Sequence, residues 1–185
     1  MVIRHPHAAA VCGWPQHRQN RPEQRWHTGG VSSEPSSVFD RLQGRWTFVR
    51  EIPGYASARG EARIVPEGED AARYEESAEV ALIQGSTLHA TQCYLYHRWP
   101  AVPNGLEILF CESRELFHHL AFEQGSDGSL EAHARFLCAA DEYVSDYSLD
   151  PGGRLHVQHI VRGPKKNYQV NTIFVRQSDI PGSPF

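Results

Sequence analysis

The stretch GRWTFVREI at residues 44–52, which follows SSVFDRL at residues 36–42, decides the fold of this chain. In the first stretch Trp46, Phe48 and Arg50 fall on one side of an extended strand, because successive side chains point to opposite faces. In the second, serines stand ahead of a short apolar run, a pattern that predicts a short capped helix. The domain is therefore predicted to begin with a short helix that leads directly into an amphipathic strand.

Strand patterns continue along the chain after this first strand. Alternating segments separated by turn sequences predict further strands at residues 58–65, 72–80, 87–98, 106–111, 115–122, 130–138, 142–149, 155–162 and 168–176. Because no long helical pattern lies between the strands, parallel βαβ units are not expected. A meander of about ten strands predicts an all-β fold, a single antiparallel barrel, with a β-sandwich as the alternative.

The chain totals fit one globular domain. The 185 residues carry a formal net charge of -4, so there is no basic excess to indicate nucleic acid. No apolar run approaches the roughly 18 residues of a membrane span, so a membrane partner is not expected. Residues 1–36 are predicted to be a disordered N-terminal extension, residues 37–178 the barrel, and residues 179–185 a loose C-terminal tail.

The cysteines bear on compartment and on metal binding. Cys12, Cys93, Cys111 and Cys138 contain no Cys-x-x-Cys pair, so a zinc site is not predicted from them. Packed free thiols in a reducing cytoplasm are the simplest interpretation, and a cytoplasmic location follows from it. A disulfide between Cys93 and Cys111 on neighbouring strands is the alternative.

The Gly44-Arg45-Trp46 motif resembles the opening of the lipocalin-like superfamily, whose barrels begin with a short helix and a Gly-x-Trp strand. The resemblance implies that Trp46 plugs one end of the barrel and that Arg176, late in the last strand, packs on the indole. A guanidinium is well suited to the face of an indole ring. Gly44, Trp46 and Arg176 are therefore assigned structural roles.

A longer set of motifs is similar to one bacterial and fungal lipocalin-like family classed as a domain of unknown function, with a calycin-type, nitrobindin-like barrel. The matching residues keep their order over residues 38–177 and are Gly44-Arg45-Trp46, Phe117-His118, His133, Cys138, Asp141, Tyr143, Tyr147, Gly163-Pro164-Lys165-Lys166-Asn167-Tyr168 and Arg176. This resemblance implies a barrel with a pocket and implies no particular reaction.

The leading functional hypothesis is a binding module for a small anionic or polar aromatic molecule inside the barrel. Arg50 shares a face with apolar residues, and a buried Arg requires an anion or carbonyl partner, which is Asp141, another acid or the ligand. The predicted ligand-binding residues are Arg50, Tyr94, Tyr96, His118, His133, Cys138, Asp141, Tyr143, Tyr147, Lys165, Lys166 and Tyr168, with Phe48 and Phe136 as apolar wall. A buried hydrogen-bond network that fixes a turn is the alternative interpretation of the group around Asp141.

Two other function classes stay open. A cofactor-independent lyase, isomerase or hydrolase would use His133 as base, with Tyr143 or Lys165 as the electrophilic partner. A haem protein would use His159, which alternation groups with apolar residues. No cofactor is otherwise predicted, and no metal, because the His and Cys spacing matches no familiar site. The expected partner is a small molecule, and the chain is expected to be a monomer or a homodimer.

Overall fold

The computed structural model describes residues 37–177, and the predictions for residues 1–36 and 179–185 lie outside that range. The described part contains one helix and eleven strands. They are α1 Val38–Leu42, β1 Gly44–Ile52, β2 Ala56–Pro66, β3 Ala71–Leu82, β4 Thr87–Arg98, β5 Gly105–Phe110, β6 Leu116–Ala121, β7 Glu123–Gln124, β8 Leu130–Cys138, β9 Asp141–Leu149, β10 Leu155–Gly163 and β11 Lys166–Arg176. No helix within residues 37–177 is long and apolar enough to cross a bilayer.

The strands form a single antiparallel sheet that curls into a nearly closed barrel. The first strand pairs with the last, so that Trp46 lies opposite Arg176 and Phe48 opposite Phe174. The sheet runs in the order β6-β5-β4-β3-β2-β1-β11-β10-β9-β8-β7, with its edges at β6 and β7. Across the seam between β6 and β8, the rings of Phe117 and Phe136 pack with centroids 5.4 Å apart. The predicted all-β antiparallel barrel with a short N-terminal helix is confirmed, and the two-residue β7 is the one strand that the sequence did not indicate.

Helix α1 and the start of β1 fill one end of the barrel, which we call the closed end. The indole N–H of Trp46 donates to the Leu42 carbonyl over 3.0 Å, and the Arg176 guanidinium lies 4.5 Å from the centre of the indole. Gly44 adopts φ +121°, and a Cβ there would lie 2.6 Å from a guanidinium nitrogen of Arg176. A glycine is therefore required for both the turn and the packing. This is the Trp–Arg contact that the family resemblance implies.

Inward-facing side chains become more exposed toward the opposite end. Along β1, Trp46 and Phe48 are 1% and 3% exposed, whereas the Arg50 side chain is 21% exposed. The inward residues Ala90 on β4 and Ala134 on β8 are also only half-buried. Solvent therefore enters the barrel at the end formed by the β1–β2, β3–β4, β5–β6, β8–β9 and β10–β11 hairpins, which we call the open end.

A disulfide ties two neighbouring strands on the outside of the barrel. Cys93 on β4 and Cys111, the residue after β5, are bonded, with their Cα atoms 5.7 Å apart. The register places Tyr94 opposite Phe110, so the residues just before and just after this pair also face each other. The prediction of two packed thiols at these positions is wrong, because the register brings the two sulfurs into bonding position. Localisation in the cytoplasm stays a prediction.

Candidate functional site

One wall of the barrel interior near the open end is aromatic. Tyr94 and Phe117 are stacked with ring centroids 5.5 Å apart and an interplanar angle of 7°. Phe110 and Phe136 pack against Phe117 at 5.0 Å and 5.4 Å, and Phe136 lies 6.1 Å from Tyr143. These five side chains, which we call the aromatic wall, come from β4, β5, β6, β8 and β9. Together they offer a flat molecule extensive apolar contact.

The inward residues of β2 and β3 are mostly small. Ala58 and Ala78 are buried on these strands, and Ala56 continues the row toward the open end. An eleven-stranded barrel is wide enough to hold a ligand when its inward side chains do not fill it. Small residues therefore line one side of the interior, and partly exposed aromatic rings line the other.

A β-bulge places two consecutive residues of β6 inside the barrel. Ile108 pairs with His118, whereas the next residue, Leu109, pairs with Leu116. Phe117 therefore has no paired residue on β5. The extra residue lets both Phe117 and His118 turn inward. His119 then faces outward, where it bonds to Glu107 over 2.9 Å. Only one of the two histidines faces inward, as alternation predicts.

Arg50 and Glu76 form an ion pair inside the barrel. The two terminal nitrogens of Arg50 each lie 2.8 Å from one carboxylate oxygen of Glu76, and the Arg50 Nε–H donates to the Thr172 hydroxyl over 2.9 Å. The Tyr74 hydroxyl also donates to Glu76. Burial alone would lower the pKa of Arg50, but the hydrogen bonds and charge of Glu76 raise it above its ordinary value. The anionic partner expected for Arg50 is therefore another acid, Glu76, rather than Asp141.

A chain of four hydrogen-bonded side chains runs from the core toward the open end. The Tyr147 hydroxyl lies 2.9 Å from Nδ1 of His118, whose Nε2 lies 3.2 Å from the Ser145 hydroxyl. The same hydroxyl lies 2.7 Å from Nδ1 of His159 on β10. Burial, and then the nearby His159, lower the pKa of His118 to about 3, so this imidazole is neutral at ordinary pH. We call these four residues the interior relay.

A second interior cation sits at the mouth of the open end. Lys166 lies 2.6 Å from a carboxylate oxygen of Asp141 and donates to the Tyr143 hydroxyl over 3.0 Å. The hydrogen bonds that Lys166 donates to Asp141 and Tyr143 raise the pKa of Lys166 above its ordinary value. A Cβ at Gly163 would collide with the Asp141 carboxylate, so the glycine leaves the space that this ion pair occupies. Asp141 is therefore the counter-ion of Lys166.

Three of the predicted site residues lie elsewhere. His133 is on the outer face of β8, with a side chain 76% exposed and bonded to Asp146. Its neighbours Ala132 and Ala134 take the inward positions, so the prediction that His133 lines the pocket is wrong by strand parity. Lys165 is exposed in the turn between β10 and β11. Tyr96 faces inward but is buried beneath Tyr74, with ring centroids 5.6 Å apart.

The other predicted site residues face the interior. Tyr94 and Tyr143 belong to the aromatic wall, His118 and Tyr147 to the interior relay, and Asp141 and Lys166 to the pair at the mouth. Tyr168 and Cys138 are half-buried near the open end, with Tyr168 packed 6.2 Å from Tyr55. Among residues 37–177, no three His, Cys, Asp or Glu side chains are placed to hold a metal ion.

His133 contributes instead to a shallow outer groove of about 360 Å³ across β8, β9, β10 and β11. Its outward-facing lining is polar and includes Asp146, Ser148, His156 and Gln158. The lining also includes Tyr147, Val157 and Thr172, whose side chains face the interior. The charged and polar side chains of the groove lie on the outer face of the sheet, whereas the interior joins buried charge, aromatic surface and a hydrogen-bonded chain.

A family model described as a family of unknown function, DUF6314, matches residues 42–176. The chain belongs to this family. The matched range runs from the end of α1 to the end of β11, so the DUF6314 family corresponds to the whole barrel with its Trp46 plug. A search of curated proteins found no match.

Solved structures that are similar to this DUF6314 member include a lyase and a redesigned β-barrel. An S-type phycobiliprotein lyase, CPES, from Guillardia theta is 12% identical, with 78% of this chain and 95% of that chain covered and a TM-score of 0.53. A redesigned β-barrel, mFAP1, solved with DFHBI is 10% identical, with 76% and 100% covered and a TM-score of 0.39. At this identity the likeness to the lyase shows the fold alone.

Several residues that line the interior of this family member are not among the predicted site residues. Glu76 and Tyr74 share the inward parity of β3 with Ala78. A single acid in an otherwise uncharged inward row indicates a buried carboxylate that needs a partner. Ser145 shares parity with Tyr143 and Tyr147 and is completely buried. Phe117 carried no parity signal, because its inward position depends on the bulge.

Proposed function

We propose that the barrel binds a small, uncharged, polar aromatic molecule in the open half of its interior. The observation that carries this proposal is the aromatic wall of partly exposed rings opposite small residues on β2 and β3. A pocket of this kind binds flat molecules through apolar contact, and a few polar groups fix their orientation. The hydroxyl of Tyr143, which accepts from Lys166, is such a polar group at the open end.

Charge balance supports an uncharged ligand over an anion. Both interior cations, Arg50 and Lys166, already have a carboxylate within 2.8 Å, in Glu76 and Asp141. An anion entering the barrel would face these two carboxylates and would need to displace one of them from its partner. A neutral molecule needs no such rearrangement. Of the two ligand classes that the sequence predicts, the polar aromatic one is therefore the better supported.

The other two function classes gain less from the structure. An enzyme that uses His133 would act in the outer groove, away from Tyr143 and from the aromatic wall. His159, the residue proposed for haem, faces the interior among the rings of Phe117, His118 and Tyr147, whose centroids lie 6.0 to 6.4 Å from its own. Haem binding through His159 stays a prediction, which an absorbance scan with added haem tests.

Three probes with one ring system test the proposal. Naphthalene, 2-naphthol and 2-naphthoate present the same aromatic body with no polar group, a neutral hydroxyl and a carboxylate. We expect 2-naphthol to bind most tightly and 2-naphthoate most weakly by isothermal titration. Tightest binding of 2-naphthoate would refute the uncharged class, and no binding of any of the three would refute the proposed function.

The variant Phe136→Ala provides the matched test of location. Phe136 belongs to the aromatic wall, whereas Leu137, the next residue, is 61% exposed on the outside. We expect Phe136→Ala to weaken 2-naphthol binding by about tenfold, because the naphthalene ring of the ligand loses its contact with the Phe136 ring. Leu137→Ala is expected to leave the affinity unchanged. Equal affinity for both variants would place the binding site elsewhere.

A further inference from the structure

The Cys93–Cys111 disulfide links the β5–β6 hairpin, residues 105–121, to the rest of the sheet. β6 is an edge of the sheet, and within residues 37–177 it pairs with β5 alone. The pairing of β5 with β4 ends at Tyr94 and Phe110, whereas β4 extends past Cys93 toward the open end. The disulfide therefore lies where the two strands part, and it is the covalent link between this edge hairpin and β4.

The same hairpin carries part of the aromatic wall. Phe110 and Phe117 belong to it, and their ring centroids lie 5.9 Å and 5.5 Å from that of Tyr94 on β4. Tyr94 follows Cys93 and Phe110 precedes Cys111, so the two rings face the interior while the bonded sulfurs lie outside. A hairpin that moved away from β4 would separate these rings. The disulfide therefore holds the aromatic wall together from the outer face.

Arg73 on β3 places its guanidinium against this disulfide. Its Nη1 lies 3.7 Å from the sulfur of Cys93 and 3.8 Å from the sulfur of Cys111. The Nε of Arg73 is paired with the Glu67 carboxylate, which fixes the guanidinium in this position. Both cysteines are half-buried, so solvent reaches the bond. A positive charge beside a disulfide stabilises the thiolate that leaves when the bond is broken.

We propose that Cys93–Cys111 is a thiol–disulfide exchange site for a small thiol such as glutathione, and that its reduction opens the aromatic wall and weakens ligand binding. The exchange site is independent of the proposed function. The effect on binding rests on the proposed function and assigns a regulation to the same interior site.

The exchange takes place in two balanced steps. The thiolate of a first glutathione attacks one cysteine sulfur, the bond between the cysteines breaks, and the other cysteine leaves as a thiolate beside Arg73. A second glutathione attacks the mixed disulfide and releases the first cysteine. Two glutathione molecules are thereby oxidised to their disulfide, and the two cysteines gain two electrons and the two protons that the thiols lose.

The rate of reduction tests the role of Arg73. The full chain is mixed with reduced glutathione, and free cysteines are alkylated at timed intervals and counted by mass spectrometry. We expect Arg73→Gln to slow reduction roughly fivefold, because the leaving thiolate loses its cation. Arg73→Lys keeps the charge and should retain most of the rate. Arg59→Gln is the control, because Arg59 is exposed on β2 and β3 separates it from the disulfide.

Two outcomes of the rate experiment would overturn the role of Arg73. One is a rate in Arg73→Gln equal to that of the wild type. The other is an equal loss in Arg73→Gln and Arg73→Lys, because the charge would then not be the cause. Slower reduction in Arg59→Gln as well would assign the effect to the net charge of the protein instead of the guanidinium on the sulfurs.

Amide hydrogen exchange tests whether reduction releases the hairpin. We compare the oxidised full chain with the chain reduced by a phosphine. Relative to residues 155–176, which form β10 and β11, we expect residues 105–121 to exchange about tenfold faster after reduction, as locally opened segments do. An equal change in both ranges, or no change in either, would overturn the release of the hairpin.

Affinity for 2-naphthol tests the regulation. We expect reduction to weaken binding by about fivefold, because the ligand loses part of its contact with displaced rings. The double variant Cys93→Ser with Cys111→Ser should bind like the reduced wild type, with or without the phosphine. Equal affinity of the oxidised and reduced wild type would overturn the regulation. Absence of binding to the oxidised protein would overturn the proposed function, while the reduction rates and hydrogen exchange would stand by themselves.

Discussion

Arg50 on β1 and Glu76 on β3 meet across an intervening strand, with both nitrogen–oxygen distances at 2.8 Å. The strand between them, β2, presents Ala58, Gly60 and Ala62 to the interior, so the two long side chains pass over small residues. A Cβ at Gly60 would lie 2.8 Å from the Phe48 ring, which shows how closely this row is packed. The ion pair is thus a consequence of the small residues on β2.

Replacing Glu76 with Gln is expected to destabilise the barrel by about 3 kcal/mol, because Arg50 would keep its charge with no carboxylate beside it. Its neighbour Glu75 faces outward and pairs with Arg63, whose side chain is 64% exposed. Glu75→Gln is the matched control and should cost less than about 1 kcal/mol, as exposed ion pairs do. Urea unfolding of both variants measures the difference. Equal losses would contradict the interior placement of the pair.

The sequence predicts the barrel well because the alternation that indicates each strand lies within the residues of that strand. Alternation along residues 44–52 places Trp46, Phe48 and Arg50 on one face, and the structure has all three inside. The same alternation sets Ala132 and Ala134 against His133, so it correctly opposed the assignment of His133 to the pocket. His133 is close in sequence to the polar residues of the β8–β9 hairpin, but strand parity turns its side chain to the outer face.

The site itself depends on contacts between distant segments, which no local pattern contains. His118 and Tyr147 are 29 residues apart, and Arg50 and Thr172 are 122 residues apart. The bulge that turns Phe117 inward arises from a register shift between β5 and β6, and alternation within β6 gives no sign of it. The disulfide likewise follows from the register of β4 and β5.

Removing the disulfide with Cys93→Ser and Cys111→Ser together should lower the free energy of unfolding by about 3 kcal/mol, the value for a loop of this size. The two cysteines are 18 residues apart in sequence. Cys138→Ser is the control and should change little, because Cys138 is outside the disulfide. Guanidinium unfolding with and without a reductant measures the effect. If the unfolding midpoint of the wild type is the same with and without the reductant, the disulfide does not form in the purified protein.

Acid should destabilise the barrel through His118. Its pKa is about 3 in the folded state and 6.5 in the unfolded state, so between these values the unfolded chain binds one more proton. Stability therefore falls as pH falls from about 6.5 toward 3, with a slope of about 1.4 kcal/mol per pH unit from this group. His118→Gln should remove that slope, whereas His119→Gln, at the exposed neighbouring position, should keep it. Urea unfolding between pH 4 and pH 7 gives the slopes, and identical slopes in the two variants would contradict the assignment.

Filling the open half should abolish binding without unfolding the barrel. Ala90 on β4 faces inward and is half-buried, and His89 beside it is exposed on the outer face. Ala90→Phe places a ring in the space between the aromatic wall and β3, so we expect affinity for 2-naphthol to fall at least tenfold. The variant adds apolar volume where solvent now enters, and overpacking is costly only where a core is already full. We therefore expect its thermal midpoint to stay close to that of His89→Phe, which should bind as the wild type does. Unchanged affinity in Ala90→Phe would show that the ligand does not occupy the barrel interior, and the outer groove beside His133 would then be the site to test.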